Sequence, residues 1–313
     1  MKMLKRTGLF ILTNLLVVIT LGIVINLVSH FLGYDLQAGG LSGLMVLCLI
    51  WGFGGAFISL LMSRWIAKTF HGVKVIDPQT MDTNERHLLN MVYQIARRAG
   101  MTTMPEVGYY ESSDVNAFAT GPSESRSLVA VSTGLMNAMN DAEVEGVLAH
   151  EIAHIVNGDM VTMTLIQGVV NAFAMFFAQI ITMIVMNALR RNDDDGRRGF
   201  GDYFLRSAIY NIASIFLTLL GSILVNYFSR QREFRADAGG AQYSSREKMT
   251  AALQKLQRVH ELPSGRMQDQ EERDGKDTLA ALKISSKPSG IGRLFMTHPP
   301  LAERIAALQN RSY

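Results

Sequence analysis

The chain has 313 residues, enough for one large domain or two modest ones, and its formal net charge of +3 is small. Its residues are 48% hydrophobic and 18% charged, a composition that alone does not decide the class of protein. The charge pattern does not suggest nucleic-acid binding, and the single cysteine, Cys48, excludes an intrachain disulfide and a cysteine zinc site.

Four uncharged apolar runs predict an integral membrane protein, because each is long enough to cross a bilayer as a helix. They cover residues 9–28, 41–62, 160–189 and 207–228. A cleaved signal peptide is the alternative for the first run, but the run exceeds a usual signal core and no small-residue cleavage site follows it. Basic residues lie before the first run and after the second. They predict that the N-terminus is cytoplasmic and that the chain is again in the cytoplasm after residue 62.

Between residues 67 and 140 the chain reads as a soluble segment. An amphipathic pattern predicts a helix over 84–98, and short runs rich in Val, Tyr and Leu predict strands of a small sheet at 105–110 and 128–132. The segment 116–121 lies between these strands. It is equally consistent with an exposed edge that accepts a peptide substrate as an added strand and with an ordinary loop or inner strand.

The pattern H-E-x-x-H at residues 150–154 predicts a metal site. On a helix, His150 and His154 share a face and can bind one zinc ion, while Glu151 is placed to take a proton from water at that ion. Asn140 and Glu143 have the spacing of a capping box and predict where this helix begins. The alternative is an ordinary amphipathic helix that happens to carry two histidines.

The third and fourth apolar runs follow this helix closely and return the chain to the same side of the membrane. If both runs span, the arginines of the link between them lie outside, against the usual bias. The alternative is a hairpin that lies in or against the membrane, or that packs on the protein. Their length favours spanning.

A catalytic zinc usually has three protein ligands, so a further ligand is needed. The metzincin pattern would require glycine at Asn157 and histidine at Met160, and is absent. Glu233 follows the fourth apolar run closely and is the candidate ligand, with Asp237 one helical turn further on, placed to accept a hydrogen bond from a ligand imidazole. The alternative is a pair of solvated charges at a helix surface, paired with neighbouring arginines.

The remaining chain contains two further predicted helices. Ser244 or Ser245 caps one that extends to about Val259, and residues 300–309 form a short closing helix. The polar segment 262–275 is predicted to be a loop, either a plain surface loop or one that gates the site.

Several stretches together resemble the HtpX family of bacterial integral-membrane zinc metallopeptidases, which is related to the eukaryotic prenyl-protein endopeptidases. The stretches are the N-terminal hairpin and residues 116–121, 131–135, 150–163, 233–237 and 297–300. The resemblance implies one zinc ion per chain, held by His150, His154 and Glu233, with Glu151 as the catalytic base. Arg235 stands where enterobacterial members carry histidine, and since it matches neither ligand nor base this departure puts little in doubt.

The resemblance also implies contacts with substrate. Asn116, with Ala117 and Phe118, is expected to lie near the bound peptide, and His298 is expected to act as a further catalytic residue that steadies the oxyanion. From the residues alone, the preferred interpretation of His298 is a capping residue before the helix that Pro299 or Pro300 begins.

We therefore expect a multi-pass α-helical membrane protein with an α+β zincin-like metalloprotease domain that carries a small sheet. The expected divisions are 1–66, 67–159, 160–228 and 229–313, with the protease domain formed by the second and fourth. The expected activity is hydrolysis of membrane proteins, chiefly misfolded ones, at the cytoplasmic face of the bacterial inner membrane. Expected partners are these substrates, the lipid bilayer and other membrane quality-control proteases. The alternatives are a non-catalytic zinc-bound scaffold and an enzyme that processes lipidated peptides.

Overall fold

The computed structural model describes residues 40–190, 200–261 and 296–310, together with positions 19, 22, 23, 25–27, 30 and 294. Most of the first predicted span, 9–28, and all of the predicted loop 262–275 lie outside the described residues. The chain divides into two compact units. One comprises Met1–Ser59 and Met163–Val225, and the other comprises Leu60–Thr162 and Asn226–Tyr313.

Helices dominate the described residues. The helices are α1 (Gly40–Phe70), α2 (Thr83–Arg98), α3 (Thr133–Ala138), α4 (Asp141–Val156), α5 (Asp159–Arg190), α6 (Phe200–Tyr243), α7 (Arg246–Glu261) and α8 (Leu301–Asn310). The strands are β1 (Lys74–Val75), β2 (Glu106–Tyr110), β3 (Ala117–Thr120) and β4 (Leu128–Ser132). The predicted strands at 105–110 and 128–132 are confirmed as β2 and β4, whereas β1 was not predicted.

Within the described residues, three helices are long and apolar enough to cross a membrane: Gly40–Phe70, Asp159–Leu189 and Gly201–Tyr243. They contain the second, third and fourth predicted runs. In the first unit, α1 and α5 pack closely at Gly52, where a Cβ would lie 2.7 Å from the backbone nitrogen of Ala172. Small residues at such crossings are typical of helices that pack inside a membrane.

The sheet lies in the second unit and is mixed. Its strand order is β1-β2-β4-β3, in which β2 and β4 are parallel and β3 pairs antiparallel with β4. The segment predicted at 116–121 therefore contains β3, which lies at one edge of this sheet. An edge strand keeps one row of backbone groups free for another partner.

Helices α2, α4, α7 and α8 form the main core of this unit with the sheet. The predicted apolar face of α2 is confirmed, because its side chains Leu88, Leu89, Val92 and Ile95 are all buried. Helix α4 begins with the predicted capping box, in which Asn140 accepts the Glu143 N–H and the Glu143 side chain accepts the Asn140 N–H. A fixed start positions every later side chain on this helix, including those at 150–154.

The two shorter helices agree with the sequence. Ser245 caps α7 by accepting a hydrogen bond of 3.2 Å from the Lys248 N–H. Helix α8 begins one residue after the predicted start, and its apolar residues Leu301, Ile305 and Leu308 are buried in the main core. The predicted fold class, a largely helical membrane protein with a small sheet, is thus confirmed.

Candidate metal centre

The two histidines of α4 face each other across one helical turn. Their Nε2 atoms lie 3.1 Å apart, and their rings are nearly perpendicular. Both side chains are largely shielded from solvent, since α4 packs in the core of its unit. This arrangement is what the four-residue spacing predicts for side chains that share a helix face.

Glu233 of α6 completes a group of three. Its Oε2 lies 3.4 Å from Nε2 of His150, and its Oε1 lies 3.4 Å from Nε2 of His154. Glu233 is only 1% exposed and Asp237 only 2%, so the alternative of solvated surface charges is wrong. One ligand atom from each of His150, His154 and Glu233 lies within 4.8 Å of the others, close enough to hold one metal ion.

The spacing of these atoms suits zinc. Ligands about 2.0 to 2.1 Å from a tetrahedral ion are separated by about 3.3 Å. The observed separations among the two histidine nitrogens and the Glu233 oxygens are 3.1 to 3.4 Å. Both Glu233 oxygens are also buried and have no well-directed hydrogen bond from any described residue. Buried carboxylate oxygens are normally satisfied, and a metal cation would satisfy these two beside the nearby nitrogens of His298 and Arg304.

The electrostatics of the group favour positive charge at its centre. Burial alone lowers the pKa of His154, but the carboxylates of Asp159 and Glu233 outweigh it and raise the pKa to about 9. Burial also opposes the charged form of His150, yet Asp237 and Glu233 raise its pKa above the ordinary value. Each imidazole therefore binds a proton more strongly than free histidine does.

Each of the two histidines contacts a different aspartate through its Nδ1 atom. Oδ1 of Asp237 lies 3.0 Å from Nδ1 of His150, the contact expected from the sequence. Oδ2 of Asp159 lies 2.7 Å from Nδ1 of His154, and Nη2 of Arg235 donates to the other oxygen of Asp159 at 3.2 Å. A carboxylate on the far nitrogen fixes the orientation and tautomer of an imidazole. The role of Asp159 was missed, although its position at the first turn of α5 could have suggested it.

Glu151 lies between the metal group and the sheet. Its Oε2 accepts a hydrogen bond of 2.9 Å from the backbone N–H of Ala119 on β3, and the side chain is buried. The base predicted from the sequence is thus held by the edge strand on one side. The contribution of Ala119 was not predicted, because spacing in the sequence does not show which residue of a strand contacts which residue of a helix.

The register of β3 shows which backbone groups are free. Ser132 N–H donates to the Asn116 carbonyl at 2.9 Å, and Phe118 and Thr120 follow as the next ladder pairs with β4. Alternation in an antiparallel ladder then turns the N–H and C=O of Ala117 and Ala119 away from β4. Those two residues form the outer edge of β3, on which the Ala119 N–H is already bonded to Glu151.

The expected contact of Phe118 with a bound peptide stays a prediction. Its side chain is buried in a separate cluster with Tyr110, whose ring centroid is 5.7 Å away, and its backbone pairs with Ala130. The N–H and C=O of Phe118 face β4 and not the outer edge, because alternate residues of an antiparallel strand bond to the partner strand. Asn116 is also buried, and its backbone is bonded to Ser132.

His298 lies at the metal group. Its Nδ1 is 3.0 Å from Oε2 of Glu233, and its side chain is mostly buried. The imidazole therefore faces Glu233, which favours the expectation of a site residue over the alternative of a helix cap.

Two glycines allow α6 and α4 to approach. A Cβ on Gly239 would lie 2.8 Å from Cβ of Ala153, and one on Gly240 would lie 3.1 Å from the backbone nitrogen of His150. The helix that carries Glu233 can therefore pack directly on the helix that carries the histidines.

Arg304 of α8 was also missed. It is 1% exposed and donates two hydrogen bonds to Asp237, from Nε at 2.7 Å and from Nη2 at 2.6 Å. Its position between Leu301 and Ile305, on the apolar face of α8, was the available signal, since an unpaired arginine is rarely buried.

Known proteins resemble the chain over nearly its whole length. Residues 82–312 match the model of peptidase family M48. Protease HtpX of Aeromonas hydrophila subsp. hydrophila is 47% identical over 305 residues, which are 97% of this chain and 99% of that protein. Protease HtpX of Escherichia coli (strain K12) is 44% identical over 308 residues, which are 98% and 99% of the two chains.

A solved structure shows the same fold. The crystal structure of Ste24p from S. mikatae matches with a TM-score of 0.57 at 18% sequence identity, covering 95% of this chain and 65% of that chain. The family match, the full-length relatives and the three apolar helices agree with one another. The chain therefore belongs to peptidase family M48, within which it is a membrane metalloprotease related to the HtpX proteases.

Proposed function

We propose that the chain is a zinc endopeptidase that hydrolyses peptide bonds of membrane proteins at the cytoplasmic face of the bacterial inner membrane. The observation that carries this proposal is the position of Glu151, which is adjacent to His150 and bonded to the edge strand at Ala119. In this account His150, His154 and Glu233 would hold one zinc ion. Zinc in such a site lowers the pKa of water to about 7 and polarises the scissile carbonyl.

The side chains of this chain supply the remaining steps. Glu151 takes a proton from the attacking water through its free oxygen, while Ala119 holds the other oxygen, and it later delivers the proton to the leaving amine. The free groups of Ala117, and the carbonyl of Ala119, bind the substrate backbone as an added strand, with Asn116 at the start of that edge. His298 steadies the oxyanion, and Asp237 and Asp159 orient the ligand imidazoles.

The choice of membrane proteins as substrates has its own support. Helix α6 contains both an apolar stretch long enough to cross a bilayer and Glu233. Helix α5 contains another such stretch and begins at Asp159, whose carboxylate contacts His154. Glu233 on one of these helices, and the contact of Asp159 on the other with His154, support cleavage close to the bilayer. Misfolded membrane proteins expose such segments, so a role in quality control beside other membrane proteases fits this placement.

The activity is tested with detergent-purified protein kept in chelator, before and after zinc is added. Casein and a membrane protein with a cytoplasmic loop are the two substrates. We expect cleavage only after zinc, faster for the membrane protein, and loss of bound zinc in Glu233→Ala. A variant Glu233→Ala that retains its zinc would contradict the ligand assignment, and bound zinc without cleavage of either substrate would favour a non-catalytic scaffold.

The orientation is tested separately with a reporter cysteine. Met81 precedes α2 and is 86% exposed, which makes it suitable for labelling. The variant Met81→Cys, combined with Cys48→Ala, is treated with a membrane-impermeant maleimide. A cytoplasmic protease domain predicts labelling in inside-out vesicles and none in intact spheroplasts, and the reverse pattern would contradict the proposed orientation.

A further inference from the structure

One buried guanidinium links α8 to the metal group. Besides its two hydrogen bonds to Asp237, Arg304 has Nη1 at 3.3 Å from Oε2 of Glu233. Nη1 is buried and donates no well-directed hydrogen bond to a described residue. The arginine thus contacts two acidic side chains. Glu233 is a proposed zinc ligand, and Asp237 contacts the proposed ligand His150.

The same guanidinium also lies against an imidazole. Nη2 is 3.4 Å from both ring nitrogens of His150. His150 is therefore enclosed by Asp237 at its Nδ1 and by the Arg304 group that holds Asp237. Movement of Arg304 would therefore displace Asp237, the partner of His150, and would also remove a contact of Glu233.

The other aspartate has a different arrangement. Asp159, which contacts His154, is paired with Arg235, whose side chain is 61% exposed, whereas the Arg304 side chain is 2% exposed. An exposed ion pair contributes little because water screens it, while a buried pair with several hydrogen bonds is rigid. Of the two arginines, Arg304 is the one that can fix a ligand.

The segment that carries Arg304 is attached to α6 at a second point. Nη1 of Arg230 donates to the backbone carbonyls of Leu294, at 3.3 Å, and Met296, at 2.8 Å. Residues on both sides of His298 are therefore bonded to the helix that carries Glu233. This attachment holds α8 in place for the contacts of Arg304.

We propose that Arg304 is a positioning residue of the metal centre, which holds His150 through Asp237 and Glu233 directly, so that high zinc affinity requires docked α8. The proposal rests on the proposed function, because it takes His150, His154 and Glu233 as the ligands. It adds a residue far along the chain that acts through its contacts with Asp237 and Glu233. The planar fork of arginine suits this task, because one group can contact two carboxylates at fixed angles.

The test measures zinc affinity by competition with a chelator, and the thermal midpoint of the zinc-free protein, for full-length variants. Loss of such outer contacts typically costs about 10- to 100-fold in metal affinity, which we expect for Arg304→Gln. Arg304→Lys keeps the positive charge but not the fork, so we expect an intermediate affinity. It also serves as the second variant if the glutamine variant does not fold.

Two controls separate positioning from folding. Leu308 lies on the same helix, is 2% exposed and does not belong to the metal group. Leu308→Ala is expected to lower the zinc-free midpoint while leaving zinc affinity unchanged. If Arg304 acts through Asp237, adding Arg304→Gln to Asp237→Asn should weaken zinc binding much less than Arg304→Gln does alone.

The outcomes are distinct. Arg304→Gln that binds zinc as tightly as the parent would overturn the inference. So would an equal loss of zinc affinity in Leu308→Ala when the two variants have the same thermal midpoint, because Arg304 would then be a purely structural residue. A parent protein that binds no zinc would overturn the proposed function, and this inference with it. Weakened affinity in the Arg304 variants alone would support it.

Discussion

The backbone N–H of Ala119 donates a hydrogen bond of 2.9 Å to the carboxylate of Glu151. This contact joins the edge of the sheet to the residue after the first histidine of the metal group. A substrate strand bound along this edge, as we propose, would therefore lie in a fixed position relative to the proposed base.

Removing the Ala119 donor should impair catalysis without removing the metal. Ala119→Pro deletes the N–H, which faces away from β4, and proline is tolerated at such edge positions. We expect kcat to fall by about 10- to 100-fold, because a small misplacement of a catalytic group has effects of that size. The measurement is steady-state cleavage with zinc content determined on the same sample.

Ala119→Ser retains the N–H and is the matched control, with kcat expected near that of the parent. If Ala119→Pro cleaves at the parent rate, the hydrogen bond to Glu151 has no catalytic role.

Asp159 should contribute to metal binding through His154. In Asp159→Asn the neutral amide orients the imidazole less strongly, and we expect zinc affinity to fall by about 10- to 100-fold. Chelator competition gives this affinity directly.

Arg235→Gln removes only the exposed partner of Asp159 and should change zinc affinity much less. An effect as large as that of Asp159→Asn would show that the exposed arginine, rather than the carboxylate, positions His154.

Glu106 should give the second unit a pH-dependent stability. Burial alone would raise its pKa, but Lys68 and Arg64, at 2.8 and 2.5 Å, lower it below the ordinary value of 4.5. A lowered pKa in the folded protein means that the ion pairs stabilise above pH 4.5, and that this contribution is lost as the pH falls through the lowered pKa. Because the carboxylate is partly exposed, we expect at most about 1 kcal/mol.

Thermal unfolding of Glu106→Gln should therefore differ from the parent at pH 7 and converge with it in strong acid. Glu111→Gln is the control, since Glu111 is 70% exposed and lies 3.9 Å from Lys74. A constant difference between Glu106→Gln and the parent across this range would contradict the assignment.

The sequence predicts features that depend on local periodicity. The capping box at Asn140, the histidine pair, the apolar face of α2 and the strands β2 and β4 each follow from spacing within one element, and the structure has them. Glu233 could be proposed only because a third ligand was required and its position after an apolar run was suitable.

Features that depend on contacts between distant elements could not be predicted. The pairing of Ala119 with Glu151, and of Arg304 with Asp237, joins residues 32 and 67 positions apart. The burial of Phe118 could not be predicted for a related reason. Its residue type gives no information on which face of β3 is free, and only the ladder with β4 determines this.

The central claim is a three-ligand zinc site with Glu151 as the base, and the most direct test compares the parent with Glu151→Gln. Glutamine can still accept the Ala119 hydrogen bond but cannot take a proton. We expect one zinc ion per chain in both proteins and casein cleavage slower by about 100-fold or more in the variant. Cleavage by Glu151→Gln at the parent rate would contradict the account.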